Sequence, residues 1–498
     1  MFATRLRFAP ALLVVVSVYS ISSAADPAPP PRVKSSGKYP EALLWKPGVI
    51  PDRVLLCMSD DPAHRMAVTW RTAKEVASPI AQIAIAEAGP KFTSKSRTVA
   101  ARSALLKTDL GEALYHEALL DGLEPGTTYV YRVGDGTNFS EWFQFRTASA
   151  GREPFTFVYF GDAQNDLKQH WSRVIRQAQS EAPKARFFLH AGDLVNRGTS
   201  DAEWGEWCYA GGFLHAQIAC VATPGNHEYS RPPTPRLKEI VRQPFDAVAS
   251  VTKKPTITSH WRPMFALPEN GPSGLEETAY WFDYQGARFV SLNSNVDQEA
   301  QVAWLDAILK DNPNRWTILT FHHPLFSTAK GRDNKKLREI WQPVFDRHQI
   351  DLVLQGHDHS YGRSGLLEAN LPAGLQVHNG DSGTVYVVSV SGPKAYTVED
   401  QPWMVEHGTG RQLYQVITID GDSLHYESRT ATGELYDLFE LRKQADGRNR
   451  LLERTDLEAE SKRWGGLSRS QSYWLMGSIG ACVIGLVILK SRRRAIVV

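Results

Sequence analysis

The sequence predicts a two-domain fold, in which a small antiparallel β sandwich precedes a larger α/β domain. The chain has 498 residues, which is too long for one ordinary hydrophobic core. Residues 47–149 hold short runs of alternating apolar and polar residues between Gly, Pro and Asp turns, a pattern typical of a sandwich. Residues 150–443 instead alternate apolar strand-like runs with longer helical stretches, which indicates a layered α/β domain.

The N-terminal residues MFATRLRFAPALLVVVSVYSISSAAD indicate a secretory signal. Arginines precede an apolar run and small residues follow it, so we expect residues 1–25 to be removed. The alternative is a buried N-terminal helix. Residues 26–46 are rich in proline and small polar residues, and they are expected to form an extended linker.

The C-terminal run at residues 473–489 is free of charged residues and predicts a transmembrane helix. It is at the short limit for a membrane span, and a tyrosine and a tryptophan at its start suit the interface. The basic tail at residues 490–498 would lie in the cytoplasm, which makes the protein exported and membrane-anchored, with both domains on the extracytoplasmic side. The alternative is a docked core helix, although such a helix is seldom apolar all round. Residues 444–472 are charged and are expected to be a linker.

The net charge and the cysteine content argue against a nucleic-acid-binding protein and against a fold held together by disulfides. A net charge of +2 gives no reason to expect a nucleic-acid partner. The four cysteines are too few for a disulfide framework. Cys208 and Cys220 are close enough to bridge across a loop, but sequence does not supply their Cα separation, so a disulfide and two free thiols both stay open. Cys57 would then be alone, and Asn138 begins a glycosylation sequon.

Five strand ends in the second domain finish in residues that bind divalent metal ions. Their runs read VYFGDAQ, LHAGDLVN, ATPGNHE, LTFHHP and LQGHDHSYGR, and they supply Asp162, Asp193, Asn226, His227, His322, His323, His357 and His359. Carboxylate, amide and imidazole donors suit zinc, manganese or iron without a thiolate. A glycine before the donor lets the backbone turn sharply and approach a metal closely.

The number of donors is larger than one ion usually takes from a protein. We therefore expect two ions that share a carboxylate, about 3.5–4 Å apart, which can hold a hydroxide nucleophile and clamp the oxygens of a phosphoryl group. A histidine at the rim that is not a ligand would protonate the leaving group.

The ordered motifs GDAQ, GDLVN, GNHE, FHHP and GHDHSYGR resemble the calcineurin-like metallophosphoesterase superfamily. The preceding sandwich, whose run LLDGLEPGTTYVYRVGDG resembles the end of a fibronectin type III domain, narrows the resemblance to the purple acid phosphatase branch. The resemblance covers nearly all of residues 48–443. It implies a catalytic domain of two mixed β sheets, packed face to face and flanked by helices.

The resemblance also implies a role for each motif residue. One ion would be held by Asp162, Asp193 and His359. The other would be held by Asp193, Asn226, His322 and His357, so that Asp193 bridges the two. His227 would contact phosphate and act as general acid toward the leaving group after attack by a metal-bound hydroxide. Further candidates, as ligands or as partners that orient ligands, are Gln164, Asn196, His323 and Arg363.

Two positions depart from the family pattern. Asn196 stands where purple acid phosphatases have the tyrosine that gives colour with ferric iron, so we expect an uncoloured site in which zinc or manganese is favoured. Gln164 stands where many relatives have a metal-binding histidine, and its carbonyl oxygen is a candidate ligand. For His323, substrate contact, orientation of a ligand and simple solvation all stay open. Tyr361 and Arg363 are expected to pack around the site, with phosphate contact as the weaker option.

The sequence therefore predicts a binuclear metal-dependent phosphoester hydrolase. By resemblance, the first expectation is an acid phosphatase-like phosphomonoesterase acting on a small phosphate ester or a phosphorylated substrate. One alternative is a phosphodiesterase or nucleotide pyrophosphatase that uses the same pair of ions. An alternative of another class is a non-catalytic cell-surface binding protein, but inactive domains usually lose a ligand and here none of the six principal ligands is lost.

Overall fold

The computed structural model describes residues 39–230, 254–368 and 382–455. The expected signal, the transmembrane run, the basic tail and Cys482 all lie outside these ranges. Among the described residues, no helix is both long enough and apolar enough to cross a membrane.

The first part of the described chain forms the expected sandwich. A short helix, α1 (Glu41–Leu44), precedes eight strands: β1 (Asp52–Cys57), β2 (Met66–Thr72), β3 (Ile80–Ile85), β4 (Arg97–Ala100), β5 (Arg102–Thr108), β6 (Gly111–Leu120), β7 (Thr128–Gly134) and β8 (Phe143–Arg146). One antiparallel sheet has the order β4-β3-β7-β8, and the other layer contains β1, β2, β6 and β5. Alternation of buried and exposed side chains in β8 shows that one face of a sheet turns to the core.

The second part contains the remaining strands and helices. Its strands are β9 (Phe155–Phe160), β10 (Phe187–His190), β11 (Ala219–Ala222), β12 (Tyr280–Tyr284), β13 (Ala287–Ser291), β14 (Trp316–Phe321), β15 (Leu352–Gln355), β16 (Tyr361–Ser364), β17 (Val385–Val388), β18 (Met404–Gly408), β19 (Leu413–Asp420), β20 (Ser423–Thr430), β21 (Leu435–Lys443) and β22 (Asn449–Glu453). Its helices are α2 (Ser172–Glu181), α3 (Asp201–Gly211), α4 (Leu214–Gln217), α5 (Trp261–Met264), α6 (Ala300–Lys310) and α7 (Lys335–Arg347).

These strands form two mixed sheets, as the resemblance implied. One has the order β12-β13-β14-β15-β17-β16-β18, and the other has the order β22-β21-β20-β19-β9-β10-β11-β1-β2-β6-β5. The sheets pack through aromatic side chains: the ring of Phe289 lies 5.2 Å from that of Phe157 and 5.1 Å from that of Phe187, measured between centroids. The parallel strands β14, β15 and β17 are buried throughout, because helices or the other sheet cover both faces.

Helix α7 shows why the sequence forms this outer layer. Leu337, Trp341, Val344 and Phe345 are buried, and their spacing places them on one side of a helix. They join a hydrophobic cluster with residues of α6 and of the seven-stranded sheet. The helix pair therefore covers the face of that sheet that points away from the other sheet.

The sandwich and the second domain share one sheet. Strand β1 pairs in parallel with β11, and Cys57 lies opposite Cys220. The expectation of two consecutive domains did not include this continuity. A second difference lies at the C-terminal end, where β22 pairs with β21 inside residues that we expected to be a linker.

The structure contains no Cys208–Cys220 disulfide. Cys57, Cys208 and Cys220 are buried free thiols. Cys208 lies in α3, whereas Cys220 lies in a central strand beside Cys57, so the short sequence separation did not bring the first pair together. Burial raises the pKa of Cys57 to about 12 and that of Cys208 to about 12, which keeps both thiols unreactive.

A buried ion network joins the sandwich to α3. Asp201 receives hydrogen bonds from Arg53 of β1, at 2.7 and 2.9 Å, and from Arg71 of β2, at 3.2 Å. Arg53 also donates to the Tyr115 hydroxyl of β6, and Arg71 pairs with Asp52. The side chain of Asp201 is only 3% exposed, so removing it would leave two guanidinium groups without their buried partner.

We expect Asp201→Ala to lower the free energy of unfolding by about 3–5 kcal/mol, measured by chemical denaturation. Burial alone would raise the pKa of Asp201, but His260, Arg53 and Arg71 lower it well below its usual range. The ionised carboxylate therefore stabilises the fold above the pKa of the unfolded chain, about 3.9, and this contribution is lost as the pH falls toward the folded-state pKa.

Asp52→Ala is the matched control, because Asp52 also pairs with Arg71 but is 41% exposed. Solvent screens such a pair, and its loss is expected to cost no more than about 1 kcal/mol. Equal losses in the two variants would contradict the importance assigned to Asp201.

Candidate metal centre

The predicted metal donors follow the carboxyl ends of parallel strands. Strands β9, β10 and β11 are parallel neighbours in one sheet, and β14 and β15 are parallel neighbours in the other. The loops after these strands meet at one edge of the two sheets, where the backbone N–H of Gly356 donates to the His322 carbonyl at 3.1 Å. The fold therefore brings residues far apart in sequence into one site.

Two glycines in the motifs lie so close to metal donors that a larger residue would not fit. A Cβ on Gly225 would lie 2.2 Å from Asp193 Oδ1, and a Cβ on Gly356 would lie 2.2 Å from Asp162 Oδ1. Three donors also have left-handed backbone conformations, with φ of 50° at Asp193, 77° at His357 and 45° at His359. Such conformations are uncommon for residues other than glycine and are frequent at functional sites.

One group of donors consists of Asp162, Asp193 and His359. All three are buried, and their donor atoms lie within 4.8 Å of one another. Asp162 Oδ2 lies 3.3 Å from His359 Nε2 and has no hydrogen-bond donor. The Gln164 amide lies between the other two members, 2.9 Å from Asp193 Oδ2 and 3.3 Å from His359 Nε2. Its Oε1 has no partner, and rotation of the amide exchanges the nitrogen and oxygen positions.

The second group surrounds Nε2 of His322. This atom lies 3.2 Å from Asp193 Oδ2, 3.1 Å from Asn226 Oδ1 and 3.0 Å from His357 Nδ1. The other ring nitrogen, Nδ1, donates to the Ala191 carbonyl at 3.0 Å. That hydrogen bond fixes the ring so that Nε2 is directed toward the site.

The donor spacing fits a pair of ions. Adjacent ligands about 2.0–2.1 Å from a common ion lie about 2.8–3.4 Å from one another in octahedral or tetrahedral geometry. The distances of 3.0–3.3 Å around His322 Nε2 and His359 Nε2 fall in this range. Asp193 Oδ2 belongs to both groups, so its carboxylate is placed to bridge. The nitrogen and oxygen donors, without sulfur, suit zinc, manganese or iron.

The electrostatics of the buried groups also suit metal binding. Burial lowers the pKa of His323 and of His359 to about 3, so both imidazoles are neutral at physiological pH. Burial also acts to lower the pKa of His322, but the charges of Asp193 and Asp162 outweigh it and raise that pKa to about 9. Since an imidazole must lose its proton to bind a metal, His322 would release a proton when an ion enters.

His227 lies beside the Asp193 carboxylate. Its Nδ1 is 2.5 Å from the Asn196 carbonyl, and its Nε2 is 3.9 Å from Asp193 Oδ2. The hydrogen bond to the carbonyl places a proton on Nδ1 and turns Nε2 toward the site. Asn196 thus contacts His227 through its backbone carbonyl, while its own N–H donates to Glu203.

The other two candidates have different surroundings. His323 is half-buried, its Nδ1 lies 2.9 Å from the Ser294 hydroxyl, and its ring centroid lies 4.4 Å from that of His357. It is grouped by distance with His322 and His357. Arg363 instead donates to Asp437, at 2.6 and 3.2 Å, and pairs with Glu453. Its guanidinium is therefore committed to a buried structural network and supplies nothing to the donor groups.

The donors open into a cavity of about 370 Å³. Its lining includes four of the metal donors and two further histidines: Asp193, Asn226, His357, His359, His227 and His323. The other lining residues are three that the sequence analysis did not single out: Arg332, Lys394 and Tyr396. A fourth such residue, Glu228, is buried behind the donors. Only Glu228 belongs to a motif, GNHE, which could have drawn attention to it.

Comparison with known proteins agrees with this architecture. Residues 51–147 match the purple acid phosphatase N-terminal domain, and residues 155–361 match the calcineurin-like phosphoesterase family. An uncharacterized protein of Mycobacterium tuberculosis is 28% identical over 61% of this chain and 60% of its own length. Purple acid phosphatase 23 of Arabidopsis thaliana is 26% identical over 56% of this chain and 64% of its own length. Acid phosphatase type 7 of Homo sapiens is 26% identical over 65% and 73%, respectively.

The chain covers less than two thirds of the length of the first two of these relatives. Among solved structures, purple acid phosphatase PPD1 of yellow lupin seeds aligns with a TM-score of 0.65 at 18% identity, over 80% of this chain and 75% of that chain. PhoD aligns with a TM-score of 0.56 at 14% identity, over 81% and 92%. At these identities the likeness shows the fold alone.

The two family matches fall on the sandwich and on the domain that carries the donor groups. Residues 155–361 therefore belong to the calcineurin-like phosphoesterases, and the sandwich before them is a purple acid phosphatase N-terminal domain.

Proposed function

We propose that the protein is a binuclear metal-dependent phosphomonoesterase of the acid phosphatase type. The observation that carries this proposal is the position of Asp193 Oδ2 in two donor groups at the base of one cavity. When bound there, two ions would activate water and neutralise the charge of a phosphoryl group. Asp162, Gln164 and His359 would hold one ion with Asp193, and Asn226, His322 and His357 would hold the other.

His227 is the proposed general acid. Its Nδ1–H bond to the Asn196 carbonyl keeps the ring in one orientation, with Nε2 on the cavity side. A protonated Nε2 would donate its proton to the oxygen of the departing alcohol. This proton matters because an alkoxide is a poor leaving group, whereas the neutral alcohol is a good one. His323 is proposed to contact substrate or to orient His357, since its ring lines the same cavity.

The residues of the site also support a proposal for the identity of the ions. Position 196 is an asparagine rather than a tyrosine, and its backbone carbonyl accepts a hydrogen bond from His227. This supports an uncoloured centre that contains zinc or manganese rather than a ferric ion bound by phenolate. We also propose that the protein is exported and held in a membrane by residues 473–489, on the basis of the sequence alone.

The activity test uses metal-loaded full-length protein with p-nitrophenyl phosphate and bis(p-nitrophenyl) phosphate. We expect metal-dependent hydrolysis, faster with the monoester. Asp193→Ala should lower kcat/KM by more than about a hundredfold, because both ions lose a ligand and even residues behind metal ligands are worth about 10–100-fold.

Asp306→Ala is the matched control, because Asp306 is a partly exposed aspartate that pairs with Arg347 and lies outside the cavity lining. It should keep full activity. Faster hydrolysis of the diester would favour the phosphodiesterase alternative. Lack of metal-dependent turnover of any phosphoester would reject the enzyme and leave the binding protein.

The adjacent histidines should respond differently to substitution. His322→Ala is expected to remove one of the two ions, measured by elemental analysis of the purified protein, because His322 Nε2 is the centre of the second donor group. His323→Ala should keep both ions and lower kcat or raise KM by about 10–100-fold. Loss of metal in His323→Ala with full occupancy in His322→Ala would reverse the assignment.

A further inference from the structure

The cavity above the metal donors has two cationic side chains on one wall. Arg332 Cζ lies 5.0 Å and Lys394 Nζ lies 5.1 Å from the centre of the Tyr396 ring. The same ring packs edge-on against His359, with 4.7 Å between centroids. Because all four side chains line the cavity, a ligand bound to the metal donors would lie beside both cations.

Lys394 has no internal counter-charge in the part of the chain that the structure describes. No carboxylate of those residues lies within 4.0 Å of its Nζ, whereas Arg332 in the same cavity wall pairs with Asp358. The side chain is half-buried, with an aromatic ring as its main contact. A cation in such a concave setting favours an external anion.

Backbone hydrogen bonds fix the segment that carries Lys394. The N–H groups of Ser391 and Gly392 both donate to the Asp162 carbonyl, and the N–H of Tyr396 donates to the His359 carbonyl at 3.1 Å. A Cβ on Gly392 would lie 1.9 Å from the Gln164 carbonyl oxygen, so the two loops are in close contact. The segment is therefore held in place by the loops that carry metal donors, as a preorganised binding site requires.

Arg332 is held through its Nε atom, and its terminal nitrogens face a partner that a ligand can replace. Its Nε donates to the buried Asp358 at 3.2 Å, and a terminal nitrogen contacts His357 Nε2. His357 faces the second donor group with Nδ1. A neutral imidazole that binds a metal through Nδ1 carries its proton on Nε2, and a guanidinium has donors only. In the metal-bound state the terminal N–H groups of Arg332 would therefore turn to another acceptor.

We propose that Lys394 and Arg332, arranged around Tyr396, bind a second anionic group of the substrate. The protein would then prefer phosphomonoesters whose leaving group carries a carboxylate or a further phosphate over esters of neutral alcohols. A cavity of about 370 Å³ is near the lower end of the range for small-molecule sites, about 300–1,000 Å³, so this leaving group is small. The inference rests on the proposed function, because it concerns the substrate of the same site.

The test measures binding rather than turnover. Metal-loaded full-length protein is titrated in a calorimeter with phenylphosphonate, 4-carboxyphenylphosphonate and 1,4-phenylenediphosphonate, whose C–P bonds are not phosphoester bonds. We expect one or both of the para-charged compounds to bind at least about tenfold more tightly than phenylphosphonate. The better of the two identifies carboxylate or phosphate as the second group.

Lys394→Gln and Arg332→Gln should each reduce that advantage to about threefold or less. Lys330→Gln is the control, since it removes an exposed positive charge from the same loop as Arg332 without changing the cavity lining. The control should keep the full advantage. Equal binding of the three compounds by the unaltered protein, or equal loss in Lys394→Gln and Lys330→Gln, would overturn the proposal. If the para-charged phosphonates bind more tightly but no phosphoester is hydrolysed, the proposed function is rejected and the anion site is retained.

Discussion

The arrangement of the candidate metal donors depends on the Glu228 carboxylate, which accepts hydrogen bonds from four backbone N–H groups in two neighbouring loops. Its Oε2 accepts from Asp193 at 2.9 Å and Gly225 at 2.7 Å, and its Oε1 accepts from Leu194 at 2.9 Å and Val195 at 3.3 Å. These bonds hold the loop that contains Asp193 against the loop that contains Asn226. The left-handed backbone conformation of Asp193 has an unfavourable free energy. The buried Glu228 carboxylate stabilises this conformation, because both of its oxygens accept hydrogen bonds from the loop backbone.

Sequence motifs predicted the residues at strand ends but not those that surround them. Asp162, Asp193 and His322 could be found because each follows an apolar strand, and parallel strands place their carboxyl ends together. Lys394 and Tyr396 could not be found this way. Their loop reaches the site through a bridge between Ala329 and Val398 and through bonds to the Asp162 loop, contacts that no local pattern encodes.

For the fold, too, the sequence predicted elements that depend on local patterns and missed pairings between distant segments. Alternation predicted the sandwich, and apolar runs predicted the buried parallel strands. The pairing of β1 with β11 joins segments about 160 residues apart and leaves no signal in either strand. Strand β22 was missed because its five residues, NRLLE, follow a charged turn and have only a short apolar core. Arg363 was placed near the site by its motif, but its partners Asp437 and Glu453 come from strands β21 and β22.

The continuity of β1 with β11 changes how the N-terminal sandwich should be regarded. A chain cut between the two parts would lack β1 and would leave β11 as an open edge, with unpaired N–H and C=O groups four residues before Asn226. Such an edge is a template for association with another strand. The sandwich therefore continues the sheet whose loops carry the metal donors, and it keeps paired a strand edge that its removal would expose.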